Sequence, residues 1–366
     1  MGRETRDSWS SAASSEASAW AQAAGSEVFA MGRENFSFLS CSSPSQEYLD
    51  CSNGLPESIL DWGFDAIAVN NLSCGNPIGF VTDRIFSHNP QMKKEYPGCV
   101  GVLRKVFTLV DSSYNPWAIS EGREVMFHNA THGADVTQAL HYFLQGPPGL
   151  LSKLTPSIEL SKQKVSLVML AAVFASAVHD YDHPGLSNDF LRNSKNALCE
   201  KFQGDSVLEK YHCAKTFALL DQHKFGKHLS KKEYFFFKSI VTDMILATDL
   251  GHHFELMNRP ALKEDFRECL CMLLHVSDIS NVARPGIIAK KWTDRVMEEF
   301  FAQGDAEKRL NLPLTPMMDR ESAHIQRIQA GFIDVIARPL FLKIADLIDD
   351  EQGPWIHHLE KNRAIS

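Results

Sequence analysis

Val165-Ser166-Leu167-Val168-Met169-Leu170-Ala171-Ala172-Val173-Phe174-Ala175-Ser176-Ala177-Val178 runs directly into His179-Asp180-Tyr181-Asp182-His183-Pro184-Gly185, and the reading of this chain turns on that junction. The first part has no charge and is apolar almost all round a helix, which predicts a buried core helix rather than a surface one. It is shorter than the ~20 residues needed to cross a bilayer, so no membrane span is expected. The helix delivers an imidazole and a carboxylate into the interior, which is costly unless something pairs with them. A metal ion is the natural partner. His183 follows four residues after His179, and Pro184-Gly185 stops the helix, leaving the group where ligands can reach a cleft. An accidental His-Asp-x-x-His remains the alternative on these residues alone.

Outward from this helix, apolar residues recur at spacings of three and four from about residue 55, in segments separated by Pro and Gly. Helices are expected over 122–145, 157–180, 206–220, 230–253, 264–278, 286–303 and 320–349. No stretch alternates long enough for a substantial sheet, and there is no internal repeat. The expected fold class is therefore all-α: one helical domain over 55–366, preceded by a Ser/Ala-rich, flexible tail over 1–54.

The bulk properties narrow the function. Apolar residues make up 44% of the 366 and charged residues 22%, as in ordinary globular proteins. A net charge of -8 argues against a nucleic-acid partner. The eight cysteines are scattered and form no CxxC, which reads as a reduced, cytoplasmic protein.

Two further segments carry chemistry. His128 and His132 lie four apart with Asp135 three further on, a spacing that puts all three on one helix face; read alone, this is also an ordinary polar helix surface. The apolar segment 269–278 carries Asp278 to a helix end, where a cap or salt-bridge partner is equally natural. Together, His132, His179, Asp180 and Asp278 form a two-nitrogen, two-oxygen set that suits zinc. Asp180 can bridge to a second, harder ion such as magnesium or manganese, and paired ions of this kind activate water for phosphoester hydrolysis.

The segments HNATHGADV (128–136), HDYDHPG (179–185), HVSDISN (275–281) and QAGFIDVIARPL (329–340) resemble, in order, the motifs of the class I cyclic nucleotide phosphodiesterase catalytic domain. The resemblance covers roughly 70–350 and implies a deep metal-containing pocket in an all-α fold. It implies that His132, His179, Asp180 and Asp278 hold the first ion and that Asp180 is shared with the second. It casts His128 as the general acid that protonates O3′, and His183, Glu209 and Thr248 as the groups around metal-bound waters. Gln329 would read the purine edge and Phe332 would stack on the base, with Asn281, Val296 and Phe300 completing the pocket. Two positions depart from the pattern: Tyr211 replaces a common histidine, and Phe127 a common tyrosine. The implied substrate is cAMP, cGMP or both, Asn281 tilting weakly toward cAMP; oligomeric state is not readable. Competing readings are a His-Asp phosphohydrolase acting on non-cyclic nucleotides and a helical scaffold with a vestigial metal site.

Overall fold

The segment 165–178 lies within a helix, Lys162–Val178, and from Leu167 to Val178 no side chain is more than 3% exposed. A helix apolar on every face needs neighbours on every face. The computed structural model describes residues 58–147, 149–151, 162–259, 265–349 and 353–365; the expected tail over 1–54 lies outside these.

Among the described residues every regular element is helical, as the all-α expectation requires. The helices are α1 Ala66–Leu72, α2 Pro77–His88, α3 Pro90–Glu95, α4 Pro97–Ser112, α5 Pro116–Ser120, α6 Ala130–Gln145, α7 Lys162–Val178, α8 Asn188–Asn193 and α9 Ala197–Lys201. They continue with α10 Val207–Gln222, α11 Lys231–Leu246, α12 His253–Met257, α13 Phe266–Asp278, α14 Gly286–Arg309, α15 Ile325–Phe332, α16 Arg338–Ile348 and α17 Pro354–Ile365. The four helices α2 to α5 each start on proline, whose missing N–H costs nothing in a first turn. α7 packs most extensively against α6 and α11, and α13 closes the group by packing on both.

The helix expected over 286–303 runs on to Arg309, and three other boundaries differ from expectation for local reasons. The helix expected from 122 begins at Ala130, because the Asn129 side chain accepts from Thr131 N at 3.0 Å and donates to the Val125 and Met126 carbonyls, capping the helix there. His128 therefore precedes α6 instead of sharing its face with His132. The helix expected over 320–349 begins at Ile325 and widens into a π turn over Ile333–Ala337. Pro339 has no N–H to continue the α ladder, and the wide turn absorbs it, with Arg338 N donating to Ile333 C=O. The helix expected to end at 253 stops at Leu246, and Asp249 caps a short 3-10 turn after it.

Candidate metal centre and substrate pocket

Three buried helices bring the four expected ligands together. His132 sits in the first turn of α6, His179 and Asp180 follow the last turn of α7, and Asp278 ends α13. Asp278 Oδ1 lies 2.9 Å from His132 Nε2 and 3.1 Å from His179 Nε2; Asp180 Oδ2 is 3.2 Å from His179 Nε2 and 3.7 Å from His132 Nε2. The C-terminal ends of α7 and α13 add partial negative charge at this point, which favours a cation. His179 Nδ1 donates to Ser176 C=O at 2.9 Å, so a neutral His179 turns a lone pair toward the group. The His132 ring is held by packing, 4.6 Å from Phe127.

Four electron-pair donors within 4.8 Å of one another need a positive charge between them. Burial opposes charge on His179, Asp180 and Asp278, yet the two carboxylates push His179 well above the ordinary histidine value, and the imidazoles hold Asp180 and Asp278 below the carboxylate range. A divalent ion can take the place of that shared proton. The donor set fits the metal.

A second group adjoins the first through Asp180, whose Oδ1 lies 3.7 Å from His212 Nε2. His212 donates from Nδ1 to Tyr181 C=O at 2.9 Å, leaving Nε2 buried with no hydrogen-bond partner among the described residues. His183 completes the group. Burial and the neighbouring His128 keep it neutral, and its Nδ1 accepts from Gly185 N at 2.9 Å. One carboxylate therefore faces two clusters with its two oxygens. Glu209 accepts from Asn188 at 3.1 Å, and burial followed by repulsion from Asp249 raises its carboxyl to about 8. Thr248 is buried and donates its hydroxyl proton to Ile245 C=O.

His128, although outside α6, reaches the same site. Its ring stacks on His183 at 4.1 Å and lies 5.8 Å from His132. Asn115 ties the two loops together by donating to the His128 and His183 carbonyls at 2.8 and 2.9 Å. Glu299 of α14 takes the other side: one carboxylate oxygen pairs with His128 Nδ1, while the second accepts from Phe127 N at 2.7 Å and His128 N at 3.2 Å. Burial alone would lower the His128 pKa; attraction and hydrogen bonding from Glu299 outweigh it, with help from Asp180 and Asp278, and raise it to about 9.

A cavity of about 600 Å³ opens beside this cluster. His128 and Asp278 line it together with Asn281, Val296, Phe300, Gln329 and Phe332, so all five base-pocket residues expected from sequence face one space. The sequence profile of the 3'5'-cyclic nucleotide phosphodiesterase family matches residues 127–359, a span that contains both histidine–carboxylate groups and these five residues. The chain belongs to this family.

Similarity to individual members agrees. The 3',5'-cyclic-AMP phosphodiesterase 4C of Rattus norvegicus is 35% identical over 326 residues, covering 84% of this chain and 57% of the relative. The probable 3',5'-cyclic-AMP phosphodiesterase pde-4 of Caenorhabditis elegans is 34% identical over 83% of this chain and 45% of its own length. The chain thus spans about half the length of the curated relatives it matches. The solved structure of LmjPDEB1 in complex with IBMX aligns with a TM-score of 0.73 at 25% identity, covering 88% of this chain and 97% of that one.

Within this family fold, the two departures have physical explanations. Tyr211 donates to Asp182 Oδ2 at 2.5 Å, while Asp182 Oδ1 accepts from Trp117 N at 2.7 Å and Lys215 pairs with the same carboxylate at 2.8 Å. Tyr211 thus braces the turn between Asp180 and His183 from behind. Phe127 is buried among the His128, His132 and Trp292 rings, where a hydroxyl is not needed for packing. Asp135, which shares a helical spacing with His132, turns away from the cluster and pairs with buried Arg284 at 2.9 Å. Glu299 and His212 were not anticipated. The available signal for Glu299 was an acidic residue on the same helix face as Trp292 and Val296.

Proposed function

We propose that this chain hydrolyses the 3′-phosphoester bond of a 3',5'-cyclic nucleotide, with cAMP the preferred substrate, to give the 5′-monophosphate. One observation carries the reading: a single cavity has His128 and Asp278 at one end and Gln329 with Phe332 on its wall. A helical scaffold with a vestigial metal site would not need both ends, and the family match together with the names of the curated relatives favours a cyclic over a non-cyclic nucleotide.

His132, His179, Asp180 and Asp278 would hold the first ion, assigned as zinc, and Asp180 would share the second, assigned as magnesium or manganese. Divalent ions in these positions supply an acidified water and stabilise charge on the phosphoryl oxygens. His183, Glu209 and Thr248 would orient waters around them, Thr248 through its hydroxyl oxygen. Water adds across the P–O3′ bond, so O3′ must leave with a proton. Glu299 occupies Nδ1 of His128 and keeps the ring cationic at neutral pH, leaving the Nε2 proton for O3′. The Gln329 amide would hydrogen-bond the purine edge, and Phe332 with Val296 and Phe300 would sandwich the base. Asn281 and the cAMP-specific names of the curated relatives support cAMP over cGMP.

Among the described residues no helix is long and apolar enough to cross a membrane. The six described cysteines are unpaired, which supports the expected reducing, cytoplasmic setting. The deciding experiment is product analysis of the metal-loaded chain with cAMP, cGMP and nucleoside triphosphates. Release of 5′-AMP is expected; turnover of triphosphates with no reaction on either cyclic nucleotide would overturn the reading.

A further inference from the structure

Helix α14 carries Glu299, Gln303 and Glu307 four residues apart on one face, and all three are buried at 4%, 2% and 1% exposure. Polar side chains this deep need partners, and each finds them in a different loop. Glu299 holds the Phe127–His128 backbone and the His128 ring. Gln303 accepts from Ser187 N at 2.8 Å and donates to Ser187 Oγ at 3.0 Å, fixing the chain just beyond the His183-Pro184-Gly185 turn. Its amide also donates to Glu307 Oε1 at 2.9 Å. Glu307 then accepts from Thr315 N at 2.7 Å and from Thr315 Oγ1 at 2.6 Å.

Thr315 belongs to the loop between α14 and α15, which brings Met317 to the cavity wall. Met317 sits at φ +70, and a Cβ on Gly304 would come within 1.9 Å of Met318 C=O, so this loop lies directly on the helix. The later part of the loop is tethered by the pairs Lys308–Asp319 and Arg320–Glu298, which are well exposed and contribute little. The buried Glu307 carboxylate is the stronger tether, because it accepts two hydrogen bonds from Thr315, both of which would be lost if the loop lifted, while Gln303 on the same helix holds the carboxylate in place.

We propose that Gln303 and Glu307 are positioning residues that fix the 311–318 loop as the recognition wall of the pocket, on the same helix face that positions the acid through Glu299. The inference rests on the cyclic nucleotide reading and adds a division of labour along α14: Glu299 serves bond breaking, and Glu307 serves purine binding. Gln303 couples the two by holding the segment after the metal turn between them.

The test uses the metal-loaded full chain and the variants Glu307→Gln, Thr315→Val and Thr315→Ser. Glu307→Gln places an N–H₂ or a single oxygen where two donors of Thr315 require acceptors. KM for cAMP should rise about 5- to 20-fold with kcat within about twofold, the signature of lost binding that is uniform along the reaction. Kinetics on bis(p-nitrophenyl) phosphate, which has no purine, should not change. Hydrogen exchange should quicken over 311–318 and stay constant over 124–130. Thr315→Val should raise KM by roughly threefold, and Thr315→Ser, which keeps the hydroxyl, should restore it. If Glu307→Gln fails to fold, the Val and Ser pair still decides. Unchanged KM in the variants of an active parent would overturn this inference alone, as would a fall in kcat on both substrates. A parent inactive on both cyclic nucleotides would overturn the underlying reading as well.

Discussion

The two ends of the cavity are built differently. At the metal end, His132 and His179 are buried, and the ligands stand at the ends of α6, α7 and α13, the helices that make up the core. At the recognition end, Gln329 and Phe332 are only partly buried on α15, a short helix whose continuation is a π turn, and the loop of Met317 lines the same cavity. Reactive groups must be held to fractions of an ångström, and only a packed core does that. A base sandwiched between apolar surfaces tolerates more freedom. The difference predicts that damage at the metal end appears in kcat and metal content, and damage at the recognition end in KM.

The severest way to break this comparison is Asp180→Ala. Because this carboxylate faces both clusters, the variant should lose both ions by elemental analysis and several orders of magnitude in kcat. Near-normal turnover with normal metal content would show that the site is misassigned.

His128→Ala comes next. The variant should keep its metal and lose about 10²- to 10⁴-fold in kcat, the usual contribution of general acid catalysis. A substrate with a much better leaving group should recover part of that loss. Metal loss in this variant would instead make His128 a ligand.

Glu299→Gln sharpens the assignment through pH. Glu299 raises the His128 pKa to about 9, so the wild-type acid is protonated below that value and activity should fall as pH rises through it. With the negative charge gone, burial is less opposed and the pKa should drop toward or below the ordinary ~6.5. The alkaline limb of the kcat/KM profile should then move down by about 2.5 pH units, costing roughly 30-fold at pH 8 and little at pH 6. An unmoved limb would mean that another group sets it.

An effect on binding alone is expected at the recognition end. Gln329→Ala should lower kcat/KM for cAMP by about 10- to 100-fold through KM, with metal content and bis(p-nitrophenyl) phosphate hydrolysis unchanged. Equal losses on both substrates would erase the distinction between the two ends.

Several of these residues were legible in advance because their signals are local. The uncharged run before His179 can only be a buried helix, and His179, Asp180 and Asp278 each lie at the end of an apolar segment, where side-chain chemistry and helix punctuation coincide. Other features were not legible. His128 looked helical because it lies four residues before His132, yet the Asn129 cap excludes it from α6. Asp135 shared the spacing of a site residue, but Arg284, 149 positions away, claims its carboxylate in the core. His212 follows the conspicuous Tyr211 without any local mark of a site.

By itself, then, the sequence determined the all-α class and the central helix and picked out the four donors that fold into one cluster, because helical periodicity and donor chemistry are properties of neighbouring residues. Only the tertiary structure decided which buried side chains brace the segments around that cluster. Glu299 is 171 positions from His128, and nothing in either local segment specifies the pairing; it arises because α14 packs where the chain entering α6 passes. The same holds for Gln303 with Ser187 and Glu307 with Thr315, whose buried polar groups meet because folding removes water and leaves each other as the available partners.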